Sequence, residues 1–179
     1  MKNIFIAGVA RSGKSTLAKK IQKNGDFNHI PLDYFASSLK HNFPETKITS
    51  NVVIDSESSK NLSLLLSRVI NIIDCKDEKF IIDSAHIMPD DIIKYLDKDK
   101  WDIYYVGYPN INVDDKLKQI REYDDDSDWT YKKSDSELRE ILSKLIEISK
   151  KIQSDCEKHD IKFVDTSYDF FEDAENNEY

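Results

Sequence analysis

Apolar residues fall along this chain in two alternating rhythms. Ile4, Phe5, Ile6 and Ala7 form an unbroken run, so residues 2–7 predict a buried strand. Leu17, Ala18 and Ile21 then share one face of a helix that stops near Asn24 and Gly25. Residues 29–33 predict a second strand. Pro31 within it points to an edge or an entry point, because proline cannot donate to a ladder. Leu62, Leu65, Leu66, Val69, Ile70 and Ile73 recur at helical spacing. Residues 80–83 predict a third strand that ends in a carboxylate. Pro89 suits the first turn of a helix carrying Ile92, Ile93 and Leu96. Residues 101–106 predict a fourth strand, closed by Gly107, Tyr108 and Pro109, and a helix follows through Val113, Leu117 and Ile120.

Residues 124–128 break this rhythm with four aspartates and a serine, and predict an exposed loop. Ser134 and Glu137 have capping-box spacing. Leu138, Ile141, Leu142, Leu145, Ile148 and Ile152 continue a long amphipathic helix, and residues 161–164 predict a fifth strand. Residues 172–179 are acidic and predict a frayed end. Strands alternating with helices imply an α/β fold, a parallel sheet covered on both faces, in one domain over residues 1–179. Ligands of such folds bind at the carboxyl ends of the strands. Asp33, Asp83 and Asp165 follow the second, third and fifth strands, so three carboxylates are expected at one edge.

The first strand runs into Gly8-Val9-Ala10-Arg11-Ser12-Gly13-Lys14-Ser15, which has the spacing G-x-x-x-x-G-K-[ST]. Strand, glycine loop and helix make up a phosphate-binding loop. Successive backbone N–H groups curl around an anion at a helix N-terminus, where the helix dipole also favours negative charge. Lys14 reaches the β and γ phosphates, and the Ser15 hydroxyl binds Mg²⁺. Gly8 and Gly13 permit backbone conformations and close approaches that a Cβ would block. The pattern alone predicts a nucleotide ligand.

Composition narrows the partners. A net charge of −8 and a pI near 5.0 argue against a general nucleic-acid or membrane surface. No transmembrane run is present, and the apolar N-terminal run is too short for a signal peptide, so the expected location is cytoplasmic. Cys75 and Cys156 have no metal-ligand spacing and read as buried structural thiols.

Several residues could carry chemistry. Asp33 could accept or orient the proton of an attacking hydroxyl, or cap a helix starting at Tyr34. Asp83 ends an apolar strand, a position that often supports Mg²⁺ beside a phosphate loop. His86 reads as a partly buried, hydrogen-bonded histidine. Arg121 leads into the acidic loop, where it could stack on adenine or stabilise a transferring phosphoryl group, or remain an exposed helix charge. Arg11 lies inside the glycine loop with its direction open. Trp129 and Tyr131 read as contacts between the acidic segment and the body. Residues 124–128 lack the glycine and the terminal glutamate of a calcium loop.

With residues 8–16, Asp33, Asp83 and Arg121 in place, the chain resembles the small P-loop kinases, including nucleoside monophosphate kinases and shikimate-, gluconate- and uridine-kinase-like enzymes. The resemblance implies a three-layer P-loop NTPase fold with five parallel strands in the order 2-3-1-4-5. It implies a substrate-binding region near residues 34–60, a lid near 121–134, and adenine near Asp165, Thr166 and Ser167. ATP would be held by Gly8, Arg11, Ser12, Gly13, Lys14, Ser15, Thr16, Thr166 and Ser167, and Mg²⁺ by Ser15 and Asp83. Lys14, Asp33 and Arg121 would be catalytic.

The chain departs from the nucleoside monophosphate kinase pattern at position 125, where Asp125 replaces a second lid arginine. The sequence has only Arg11, Arg68, Arg121 and Arg139. A phosphorylated acceptor usually wants more guanidinium forks. The expectation is therefore phosphoryl transfer to a hydroxyl of a small metabolite or nucleoside, by a monomer or homodimer. A nucleoside monophosphate kinase and a nucleotide-binding regulator without transfer activity are the alternatives.

Overall fold

The expected alternation of strands and helices is realised in the computed structural model, which describes residues 1–168. The expected frayed end at 172–179 lies outside the described residues. Five parallel strands, β1 (Asn3–Gly8), β2 (Phe27–Pro31), β3 (Lys79–Ser84), β4 (Trp101–Gly107) and β5 (Lys162–Asp165), stand in the order β2-β3-β1-β4-β5. β1 is central and buried along its whole length, as a strand covered on both faces must be. β2 is an edge strand, which accommodates Pro31.

Alternate side chains of β1 feed two cores. Ile4 and Ile6 join Leu17, Ala18 and Ile21 of α1 (Lys14–Asn24) on one face. Phe5 and Ala7 face the larger core on the other side. That core is built by α3 (Ser56–Ile73), α5 (Val113–Tyr123) and α6 (Asp135–His159). The capping box of Ser134 and Glu137 starts α6 where the spacing places it.

Three expectations change. The second strand ends at Pro31, and α2 (Leu32–Asn42) starts at once, so Asp33 sits in the first helical turn and not at a strand end or N-cap. The helix at Pro89 is short: α4 (Pro89–Ile92) passes into a 3₁₀ turn. Cys156 is buried as expected, but Cys75 is exposed, because it lies just beyond the last turn of α3.

Candidate functional site

The glycine loop is built by two constraints. β1 and β4 run side by side with Gly8 opposite Val106, and a Cβ at Gly8 would lie 1.9 Å from the Val106 carbonyl oxygen. Gly8 also has φ of 147°, so no other residue fits there without moving the sheet. Gly13 has φ of 92° and occupies the N-cap of α1 with no capping side chain. The first amides of α1 therefore have no helical or side-chain acceptor and face outward. Lys14 is buried, while Ser15 and Thr16 are exposed.

A cavity of about 620 Å³ opens over this helix end, lined on the loop side by Arg11, Gly13, Lys14, Ser15 and Thr16. From α5 come Lys116, Gln119, Ile120 and Tyr123, and Tyr168 contributes from beyond β5. The sequence reading missed this second wall. Lys116 lay on the apolar stripe of α5, three residues after Val113 and four before Ile120, and that was the available signal. Its amine sits 4.2 Å from the centre of the Tyr108 ring and 3.3 Å from Gln119 Oε1. Burial, with Arg11 nearby, lowers its pKa to about 8.

On the other side of β1, Asp83 is almost fully buried, and its Oδ2 lies 2.6 Å from His29 Nε2. Burial raises the Asp83 pKa, opposed by His29 and by the charge of Lys14, with Asp33 adding repulsion. Lys14, Asp33 and Asp83 thus share one electrostatic neighbourhood. Asp33 Oδ1 accepts the Ala85 N–H at 3.0 Å and lies 3.5 Å from His86 Nε2. Burial lowers the His86 pKa, which favours a neutral ring. His29 was also missed: only the pairing of β2 with β3 brings residues 29 and 83 together.

Other expected residues are placed elsewhere. Asp165 stands across the sheet from Asp33 and Asp83, so two carboxylates converge and not three. It accepts from Asn110 Nδ2 at 2.7 Å and from the Ser167 amide at 2.9 Å. Thr166 and Ser167 are buried. The Thr166 hydroxyl donates to the Ser12 and Gly107 carbonyls, each at 3.1 Å, and props the glycine loop from below. Ser12 Oγ is buried without a hydrogen-bond partner.

Arg121 is taken up by the segment after α5. It donates to Asp124 Oδ2 at 3.1 Å, Asp135 Oδ1 at 2.8 Å, and the Thr130 and Lys133 carbonyls. Arg11 crosses to the same segment and meets Asp124 and Asp128. Trp129 and Tyr131 remain substantially exposed and do not bury against the body as expected.

This arrangement suits a polyphosphate and a hydrated cation. The open helix end, Lys14 and the orphan Ser12 hydroxyl offer donors to phosphate oxygens. Among the described residues no three His, Cys, Asp or Glu side chains gather as a metal cage. Mg²⁺ needs few protein ligands, since it keeps waters and substrate oxygens, so Ser15 and Asp83 are the residues that could hold it.

No protein-family model matches the chain, and no curated protein sequence does. Solved structures do share its fold. A shikimate kinase from Bacteroides thetaiotaomicron superposes with a TM-score of 0.61 at 15% identity, over 97% of this chain and 94% of its own. A gluconokinase from Sinorhizobium meliloti 1021 gives 0.56 at 12% identity, over 97% and 87%. A shikimate kinase from Acinetobacter baumannii in complex with shikimate gives 0.52 at 14% identity, over 91% and 82%. The chain thus has a small P-loop-kinase-like fold, a three-layer α/β sandwich with the strand order expected of it. No helix among the described residues is long and apolar enough to cross a membrane.

Proposed function

We propose that the protein transfers a phosphoryl group from ATP, with Mg²⁺, to a hydroxyl of a small uncharged metabolite or nucleoside. The observation that carries this reading is the open end of α1, with Lys14 lining a cavity over it, beside Asp83 on the strand next to β1. ATP supplies the phosphoryl group and Mg²⁺ the charge neutralisation. Lys14, Gly8, Ser12, Gly13 and Thr16 would hold the phosphates, and Ser15 and Asp83 would hold the cation. Asp33 keeps one oxygen on the Ala85 amide and has the other for the acceptor hydroxyl, whose proton it would take as the new P–O bond forms and the bond from the γ-phosphorus to the ADP oxygen breaks. His86 Nε2 stands 3.5 Å from the Asp33 oxygen that takes the Ala85 amide. The wall formed by α5 and Tyr168 receives the nucleoside half of ATP.

The arginines favour an uncharged acceptor over a nucleoside monophosphate. Arg11 and Arg121 are engaged with the segment after α5, Arg139 pairs with Asp114, and Arg68 is exposed late on α3. None is among the partners of Asp33, Asp83 or His86. The test is ADP release in the presence of sugars, polyols, nucleosides and nucleoside monophosphates. Release that depends on an uncharged acceptor supports the reading. ATP binding with no acceptor-dependent release in a broad panel replaces it with a nucleotide-binding regulator.

A further inference from the structure

Arg11 is out of place by ordinary backbone rules. Its φ is 61°, in the left-handed region that L side chains rarely adopt, and a glycine there would be unstrained. The chain nevertheless keeps a long cationic side chain, and that side chain leaves the glycine loop. Nη2 reaches Asp124 Oδ1 at 3.1 Å, and Nη1 reaches Asp128 Oδ1 at 2.7 Å. These partners are more than a hundred residues away in sequence.

Asp124 is the centre of the arrangement. It opens an acidic, exposed-looking loop, yet its side chain is only 3% exposed. One oxygen accepts from Arg11 and from the Thr130 hydroxyl, and the other accepts from Arg121. Arg121 in turn gathers Thr130, Lys133 and Asp135. Residues 124–135 are therefore knitted into one unit, and that unit is tied to the glycine loop by a carboxylate shared between two guanidinium groups. Such charge-assisted pairs, largely withdrawn from water, hold geometry better than surface pairs do.

We propose that Asp124 is a positioning residue that fastens the lid to the phosphate loop, with Arg11 as its other half. The left-handed strain at Arg11 is kept because the side chain makes this tie. The fastening stands independently of the kinase reading. Its catalytic consequence rests on that reading: a lid held over the cavity favours transfer to the acceptor over transfer to water.

Trp129 follows Asp128, an Arg11 partner, and about two-thirds of it is covered, so its remaining protection reports on the order of this segment. The second tryptophan, Trp101, is buried and bonded to Asp74, so external quenchers reach it poorly. Acrylamide quenching of the full-length protein is compared for wild type, Asp124→Asn and Arg11→Gly. Arg11→Gly removes the tie while relieving the backbone, so it tests the idea even if Asp124→Asn fails to fold. The expected result is a rise of about twofold in the quenching constant of both variants. The ratio of ATP hydrolysis to acceptor phosphorylation is expected to rise about tenfold. An unchanged quenching constant in both variants overturns the proposal. So does a rise in Asp124→Asn alone, which would mean that Asp124 orders the lid without the glycine loop. A rise in both variants of a protein that phosphorylates no acceptor leaves the fastening standing and overturns the kinase reading only.

Discussion

The two flanks of β1 are built from different chemistry. Toward β4 and α5 the cavity gathers three cations, Arg11, Lys14 and Lys116, and two aromatic rings, Tyr123 and Tyr168, beside the carboxylates of Glu122 and Asp128. Toward β3 and β2 they are carboxylates and imidazoles: Asp33, Asp83, His29 and His86. Lys14 is the one residue that belongs to both. On the proposed reading a polyanion would be drawn to the first flank and a proton taken up on the second. The strand order separates the two: β1 stands between β3 and β4, so the two sets of groups meet only at its tip.

The comparison can be broken at its shared point. Lys14→Ala is expected to lower phosphoryl transfer by on the order of 10³-fold, with ATP binding weakened as well, because both flanks lose their common cation. Steady-state kinetics and calorimetry check it, and transfer at the wild-type rate would end the mechanism. Asp33→Asn is expected to affect one flank only. Transfer falls about 10²-fold while ATP affinity stays within about twofold. Comparable loss of ATP binding would mean that Asp33 belongs to the donor flank.

The next effect is on stability. His29→Leu leaves Asp83 buried without its closest partner, and a cost of about 1–3 kcal/mol is expected in urea unfolding at neutral pH. Asn at position 29 should recover part of it by donating to Asp83. The smallest effect is a slope with pH. Burial holds the His86 pKa below its unfolded value of 6.5, so folding favours the neutral ring. The stability tied to that shift is present in full above 6.5 and is lost as pH falls through the lower, folded value. His86→Gln should flatten this part of the stability profile below pH 6.5, and an unchanged profile would show that His86 does not contribute to it.

The donor flank was largely legible because its key parts lie within nine consecutive residues. Gly8, Gly13, Lys14 and Ser15 each answer a local demand: a close approach, a left-handed turn, a cation and a hydroxyl at a helix start. The strand order followed from resemblance to a known architecture, and the element types from two periodicities. What stayed hidden depended on pairing. His29 meets Asp83 only through the β2–β3 register, and Arg11 meets Asp124 only once the segment after α5 is folded back. Lys116 was visible as a lysine on an apolar stripe, but helical spacing alone does not say which cavity the stripe borders. Asp33 lies in the first turn of α2 and not at a strand end, because the helix starts directly after Pro31, and spacing alone does not show where an edge strand hands over to a helix.

The Thr166 hydroxyl bonds to the Ser12 carbonyl across 154 residues of sequence and also to Gly107. Residues of the glycine loop, of β4 and of the turn after β5 thus meet in one contact. During synthesis the glycine loop emerges long before β5, and the support beneath it arrives only with Thr166. Emergence of Thr166, and not of the glycine loop itself, sets when this loop takes its supported shape.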